Sequence, residues 1–266
     1  MEYFKTVAGI PVHISDTLKG EKVLVLLHGY LETLYVWEEF SKLLSDSYRI
    51  VTIDIPGHGL SGALPVNTMA NCADLINELL ENLEINNAAI LGHSMGGYIS
   101  IEAIKRHPGR FSALIMMHSS PFADSEEKRA ERLREVELVK QGKLNSITRL
   151  SVPKMFAPHN KLKMKTNIEE ITELAEIHDN DGVIALIKGM MNRDDNADFL
   201  RSTSTPLLMI FGNHDNYISV EAAQKFISTM EKPDYYFLEN SGHSGFIEEP
   251  LLTAELCKQF LEKALP

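Results

Sequence analysis

The most chemically suggestive stretch of the chain is Gly92-His93-Ser94-Met95-Gly96. It follows the short apolar run Ala88 to Leu91, and helix-like spacing resumes through Ile99, Ile101 and Ile104 until Pro108. This reads as a strand, a turn too sharp for ordinary residues, and a helix with Ser94 at its start. Glycine on both sides suits a strand-to-helix elbow, where a Cβ would clash with neighbouring backbone. Such an elbow lifts the serine hydroxyl clear of the sheet and aims the first free helix N–H groups at whatever it attacks. A hydroxyl at its free pKa is a poor nucleophile, so a base and an orienting acid must come from elsewhere. Two later apolar runs supply candidates. Pro206 to Phe211 leads into Gly212-Asn213-His214-Asp215, and Tyr235 to Leu238 leads into Glu239-Asn240-Ser241-Gly242-His243.

The order serine, acid, histidine belongs to one serine-hydrolase arrangement and not to the others. Here the chain resembles the α/β-hydrolase superfamily, in its capped carboxylesterase-like branch, and the resemblance runs through nearly the whole sequence. His28-Gly29-Tyr30 after Val23 to Leu27 is similar to the family's oxyanion loop. Asp54-Ile55-Pro56-Gly57-His58-Gly59-Leu60-Ser61 is similar to its D-x-x-G-x-G-x-S loop, Gly92 to Gly96 to its elbow, and Gly242-His243 to its base. Asp215 stands where the family has its acid. One departure is Ser219, four residues after the acid, where the family often has proline; serine also starts a helix well.

The resemblance implies a catalytic set of Ser94, Asp215 and His243, with the backbone N–H groups of Tyr30 and Met95 as the oxyanion hole, and neither cofactor nor metal. Some relatives carry the acid after the strand that precedes the inserted segment. That strand ends here in His118-Ser119-Ser120, with Asp124 the nearest carboxylate, so Asp215 is preferred. Ser94 excludes the nucleophilic aspartate of dehalogenases and epoxide hydrolases. His28, His93 and His58 read as loop-positioning residues, with a substrate contact open for His58. Asp54 reads as an acceptor for loop N–H groups, and His214 as pointing away from the acid.

These residues need a scaffold. The hairpin Glu2 to Val7 and Ile10 to Ser15 reads as a sheet edge. Val23–His28, Arg49–Asp54, Ala88–Leu91, Ser112–Met117, Leu207–Phe211 and Tyr235–Leu238 read as parallel strands buried on both faces. Tyr35–Ser45, Asn67–Leu83, Met95–His107, Val220–Met230 and Pro250–Ala264 read as the helices between them. The expected fold is α/β: an α/β-hydrolase fold with a mostly parallel, doubly wound sheet and its site at the strands' carboxyl ends. Residues 1–120 and 205–266 make the core. Between them, 121–204 is purely helical in pattern (Ser125–Gln141, Leu144–Leu150, Asn167–His178, Gly182–Met191), too long for a plain loop, and is expected to be an inserted lid. Phe156 and Met190, with Met155, Met164 and Met191, are candidates for an adaptable acyl pocket, with lid-to-core packing as the other reading. Lys128 to Lys165 holds eleven Lys/Arg against three Glu. It reads as a solvated helix face, and an anionic substrate tail or partner approaching from this side is the other reading.

The apolar fraction of 44% in 266 residues allows one large α/β domain with an insertion. A net charge of −11 argues against nucleic acid as a partner. No run approaches membrane-spanning length, no secretory signal opens the chain, and the ten histidines show no metal-binding spacing. Cys72 and Cys257 read as buried thiols of a reducing compartment, so a cytoplasmic location is expected. The expected substrate is a small or medium carboxylic ester. Thioester, lactone or carbon–carbon hydrolysis, acyl transfer, and a low-turnover ligand-binding role remain open, as does the oligomeric state.

Overall fold

A computed structural model describes residues 1–64 and 66–265 of the protein. Eight strands form one sheet: β1 (Glu2–Val7), β2 (Ile10–Asp16), β3 (Val23–Leu27), β4 (Arg49–Ile53), β5 (Ala88–His93), β6 (Phe111–Met117), β7 (Leu207–Gly212) and β8 (Asp234–Leu238). Their order is β1-β2-β4-β3-β5-β6-β7-β8. The β1–β2 hairpin is antiparallel and joins β4 antiparallel; every other pairing is parallel.

The apolar runs are continuous because both sheet faces are covered. Along β3, Val23, Val25 and Leu27 enter one hydrophobic core while Leu24 and Leu26 enter the other. The first core is capped by α2 (Met69–Asn82) and α3 (Met95–Arg106). The second is filled by Trp37, α1 (Glu38–Leu44) and α11 (Pro250–Ala264). Strand β8 departs from the expectation of full burial. As the edge strand it leaves Asp234, Tyr235 and Tyr236 exposed, and only Leu238 is closed off.

Helix starts follow the capping residues. Thr68, Ser125 and Ser219 accept from the N–H three residues on, at 3.0, 3.2 and 3.1 Å. Ser219 thus starts α9 (Val220–Ile227) without the family's proline. The helix expected over 35–45 divides into a 3-10 turn, Leu34–Trp37, and α1.

Between β6 and β7 lie α4 (Glu126–Lys140), α5 (Leu144–Ser151), α6 (Lys165–Glu176), α7 (Asn180–Met191) and α8 (Ala197–Ser202), with no strand among the described residues. The short α8 and the one-turn α10 (Gly245–Glu248) carry too little periodicity to be read from sequence. The insertion has two apolar clusters of its own. Val136, Val139, Leu144 and Ile187 gather over Leu31, whereas Val152, Met155, Phe156, Met164 and Ile171 form the second. Part of the basic run is paired: Lys128 with Glu131, Arg132 with Asp124, Lys140 with Glu137, Arg149 with Glu176 and Lys165 with Glu169. No helix among the described residues is long and apolar enough to cross a membrane.

Candidate active site

The strand order reverses at β3, whose neighbours β4 and β5 lie on opposite sides, and the crevice beyond such a point is where open α/β sheets bind ligands. The loop after β3 and the elbow after β5 meet there. A Cβ on Gly92 would overlap the Gly96 carbonyl, and one on Gly96 would overlap the Leu27 carbonyl, so both positions require glycine. Ser94 adopts φ 50°, ψ −113°. A side-chain-bearing residue in this region costs about 1–3 kcal/mol and persists only when its surroundings enforce it. Here the Ser94 amide donates to Met117 O at 3.0 Å, and its carbonyl accepts from Gly97 N at 3.0 Å and Ser119 Oγ at 2.8 Å. The Ser94 amide is therefore occupied, and Met95 offers the first helix N–H free to face the crevice.

Asp215 lies just beyond β7 with its side chain fully buried. Its Oδ1 accepts from the amides of Tyr217 (2.7 Å) and Ile218 (3.0 Å), and its Oδ2 is 2.8 Å from His243 Nδ1. Burial alone would raise its pKa, but the His243 ring and the surrounding donors hold the carboxyl below the usual carboxylate range. With Nδ1 bound, His243 has Nε2 left to work with. The His243 loop is fastened on three sides. Its amide donates to Met155 O at 2.6 Å, its carbonyl lies 2.7 Å from His93 Nε2, and the neighbouring Gly242 amide donates to Glu248 Oε1 at 2.7 Å.

A second imidazole, His118, reaches the same Asp215 oxygen at 3.3 Å through Nδ1. Its Nε2 accepts from the Gly245 amide at 3.0 Å, so the proton sits on Nδ1 and the neutral ring donates to the acid. Burial pushes the His118 ring down to about 4. His118, Asp215 and His243 are close enough to suit a cation, yet the nitrogens facing the carboxylate carry the protons they donate.

A family model described as alpha/beta hydrolase fold matches residues 22–152. The structure superposes on a thermophilic esterase from Thermogutta terrifontis with TM-score 0.93, covering all of both chains at 24% identity. An enol-lactonase from Burkholderia xenovorans LB400 superposes with TM-score 0.89 over 98% of this chain and 100% of its own, at 19% identity. In sequence, the chain is 25% identical to the uncharacterized hydrolase YugF of Bacillus subtilis over 97% of this chain and 96% of that protein. It is 24% identical to a pimeloyl-[acyl-carrier protein] methyl ester esterase of Vibrio vulnificus, over 91% and 93%. The chain has the α/β-hydrolase fold.

Within that α/β-hydrolase framework, the residues singled out from sequence fall as follows. Ser94, His243 and Asp215 follow the ends of β5, β8 and β7, His243 and Asp215 are hydrogen-bonded, and Tyr30 stands in the loop after β3. Asp54 accepts from the amides of Leu34 (2.7 Å) and Leu60 (2.9 Å), organising its loop as expected. Asp124 is buried between Arg132 and Arg193, the latter at 2.5 Å, far from the acid's role. His28 and His58 each accept from an amide through Nε2, Ile55 at 2.9 Å and Leu31 at 3.0 Å, and serve the loops. His214 faces away, its ring 4.8 Å from that of His159. Phe156 and Met190 are closed to solvent, the first in the insertion's second cluster and the second in the main core.

Several residues of this α/β-hydrolase site were missed from sequence. In the sequence His118 stands out only as a non-carboxylate at the end of its strand. Glu248 holds Gly242 with one oxygen, and with the other accepts from Ala157 N (2.8 Å) and Asn160 Nδ2 (2.9 Å) of the insertion. Glu135 of α4 accepts from the Tyr30 hydroxyl at 2.8 Å, and burial raises its carboxyl pKa. Asn216 and Tyr217, beside the acid, donate to the carbonyls of Lys154 and Ser151, both at 2.9 Å. Segment 151–160 of the insertion is thereby bonded to both the Asp215 and the His243 loops. No local pattern announces such contacts.

Proposed function

We propose that the protein is a serine hydrolase of the capped carboxylesterase-like branch, cleaving a small or medium carboxylic ester through an acyl-enzyme. His243 Nε2 takes the Ser94 proton as Oγ attacks the ester carbonyl carbon. Asp215 keeps the ring oriented and stabilises the imidazolium. The N–H groups of Tyr30 and Met95 hold the oxyanion, each contributing about 3–4 kcal/mol to the transition state. The imidazolium protonates the departing alkoxide. Water, deprotonated by His243, then releases the acid and restores Ser94. The scheme needs no cofactor and no metal.

The observation that carries this reading is the 2.8 Å Asp215–His243 pair, tied through the His243 carbonyl to His93, the residue before a serine whose backbone is kept at φ 50°. The esterase names among the relatives support the ester as substrate class. A relative named as a lactonase and one named as a putative carbamate hydrolase support a second reading, another acyl chemistry at the same site.

Residues 121–204 act as the lid in this proposal, with Phe156 and Met190 reached by an acyl chain only when the insertion repacks. Because 151–160 is bonded to the acid and base loops, the opening portion is α4 with α7, over Tyr30. Buried, unpaired Cys72 and Cys257, their thiols pushed up to about 12 by burial, suit the reducing cytoplasm.

Labelling with a fluorophosphonate, followed by turnover on p-nitrophenyl esters of graded acyl length, tests the assignment. Labelling lost in Ser94→Ala together with ester turnover supports it. Labelling without ester turnover moves the protein to another acyl chemistry, and absence of both leaves a binding role.

A further inference from the structure

His93, one residue before the elbow serine, makes two hydrogen bonds with opposite requirements on an ordinary histidine. Its Nε2 lies 2.7 Å from the carbonyl oxygen of His243, and its Nδ1 lies 2.8 Å from Glu32 Oε2. A carbonyl and a carboxylate oxygen are both acceptors, whereas neutral imidazole has one N–H and one lone pair. With the proton on Nδ1 alone, Nε2 and the His243 carbonyl would face each other lone pair to lone pair. With the proton on Nε2 alone, the clash would fall on Glu32. Two protons are needed on the line from the His243 carbonyl to the Glu32 carboxylate.

We propose that His93 is a permanently protonated imidazolium paired with the Glu32 carboxylate, and that this pair is the positioning element joining the three working parts of the site. Glu32 Oε2 also accepts from the Gly29 amide at 2.6 Å, beside the oxyanion residue Tyr30. One ion pair therefore fixes the oxyanion loop through Gly29, the nucleophile through the chain at His93, and the base through the His243 carbonyl. The role rests on the functional reading above; the protonation state does not.

The surroundings favour this form. Both side chains are fully buried, and a lone carboxylate there would be costly. Glu32 Oε1 has no hydrogen-bond partner, which leaves His93 as the charge that compensates it. Burial disfavours the charged form of each, but their mutual attraction outweighs it: Glu32 is lowered and His93 raised. The other titratable groups facing the pair are His28 on the Glu32 side, the Asp215 carboxylate, and the His243 and His118 rings, centred 5.0 and 5.9 Å from that of His93. Trp37 and Phe246 wall the remaining sides. The two neighbouring imidazoles are each bonded to Asp215, so His93 is the ring with two acceptors and no amide to accept from.

Nitrogen-15 NMR of the histidine rings in the full chain, with His93→Asn to assign the signal, reads the state directly. The expected result is a ring with both nitrogens protonated and unchanged from about pH 6 to 9, well past the ordinary histidine value near 6.5. An unprotonated ring nitrogen on His93 at neutral pH overturns the proposal, whatever the enzyme hydrolyses. The positioning role is read from Glu32→Gln, which removes the counter-charge. In that variant burial acts on His93 without its counter-charge and pulls the ring below its ordinary value near 6.5, so the ratio of variant to wild-type kcat should fall as pH rises toward and past roughly 6.5, as His93 deprotonates and releases the His243 carbonyl, with KM little changed. A variant with the wild-type pH profile, merely scaled, overturns the positioning role. If ester turnover is absent altogether, the ring-nitrogen result still stands or falls by itself.

Discussion

His118 and His243 share one oxygen: both donate through Nδ1 to Asp215 Oδ2, at 3.3 and 2.8 Å. With two backbone amides on Oδ1, the carboxylate has four donors and no room to rotate. His118, just past the end of β6, holds Asp215, which in the proposed mechanism orients His243 as the base.

His118→Phe should therefore weaken the site without removing any group that touches substrate. Loss of a hydrogen bond to a buried charge costs about 1.5–3 kcal/mol of stability. The resulting misalignment should lower kcat by about one to two orders of magnitude with KM little changed. Urea unfolding and steady-state kinetics on the same preparation check both; an unchanged kcat removes His118 from the positioning of Asp215.

Ser94→Ala and His243→Ala should each lower kcat by a factor on the order of 10⁶ for a fast substrate, since the members of such a set act as a unit. Stability separates two replacements of Ser94. Its φ of 50° strains alanine as it strains serine but suits glycine. Ser94→Gly should then be more stable than Ser94→Ala by about 1–3 kcal/mol in thermal unfolding. Equal stability would mean that the elbow stores no strain.

Acid should destabilise the fold before its carboxylates titrate. His178 of the insertion stacks on His58 with ring centres 4.3 Å apart, and burial pushes the His178 ring down to about 4. His118 is pushed to the same value. A folded pKa below the unfolded value near 6.5 means that the unfolded chain binds the proton first, so stability falls as pH drops from about 6.5 to 4. Each group accounts for about 3 kcal/mol at the lower limit. Asp215 has the opposite sign: its lowered pKa contributes stability above the ordinary carboxylate value near 4 and loses it only below that. Unfolding followed against pH should show the early loss, reduced in His178→Phe. A flat profile between 6.5 and 4 would refute the neutral, buried assignment.

Phe156→Ala and Met190→Ala should cost about 2–5 kcal/mol in stability, because both side chains are buried. If acyl chains reach them on repacking, preference along a p-nitrophenyl ester series should also shift by about 1–3 kcal/mol between lengths. Ser94 labelling by a small phosphonate should change far less. Equal slowing of every substrate and of the small probe would assign both residues to packing alone.

What the sequence determined by itself is what neighbouring residues impose on one another. Gly92 and Gly96 around Ser94 declare an elbow because close backbone approach is a local demand. Val23 to Leu27 declares a strand covered on two faces because alternate residues need two cores, and Thr68, Ser125 and Ser219 start helices by bonding three residues ahead. Ser94 and Asp215 stand out because each follows such a strand, and His243 because it follows the short apolar run Tyr235 to Leu238. Tertiary structure decided the pairings between distant residues: Glu32 with His93, 61 positions apart, and His118 with Asp215, 97 apart. It also placed Glu248 under the base loop and Glu135 over Tyr30, and it left β8 exposed by setting it at the sheet edge. A buried polar group is satisfied by whatever the fold brings within about 3 Å, and only the assembled chain sets that distance.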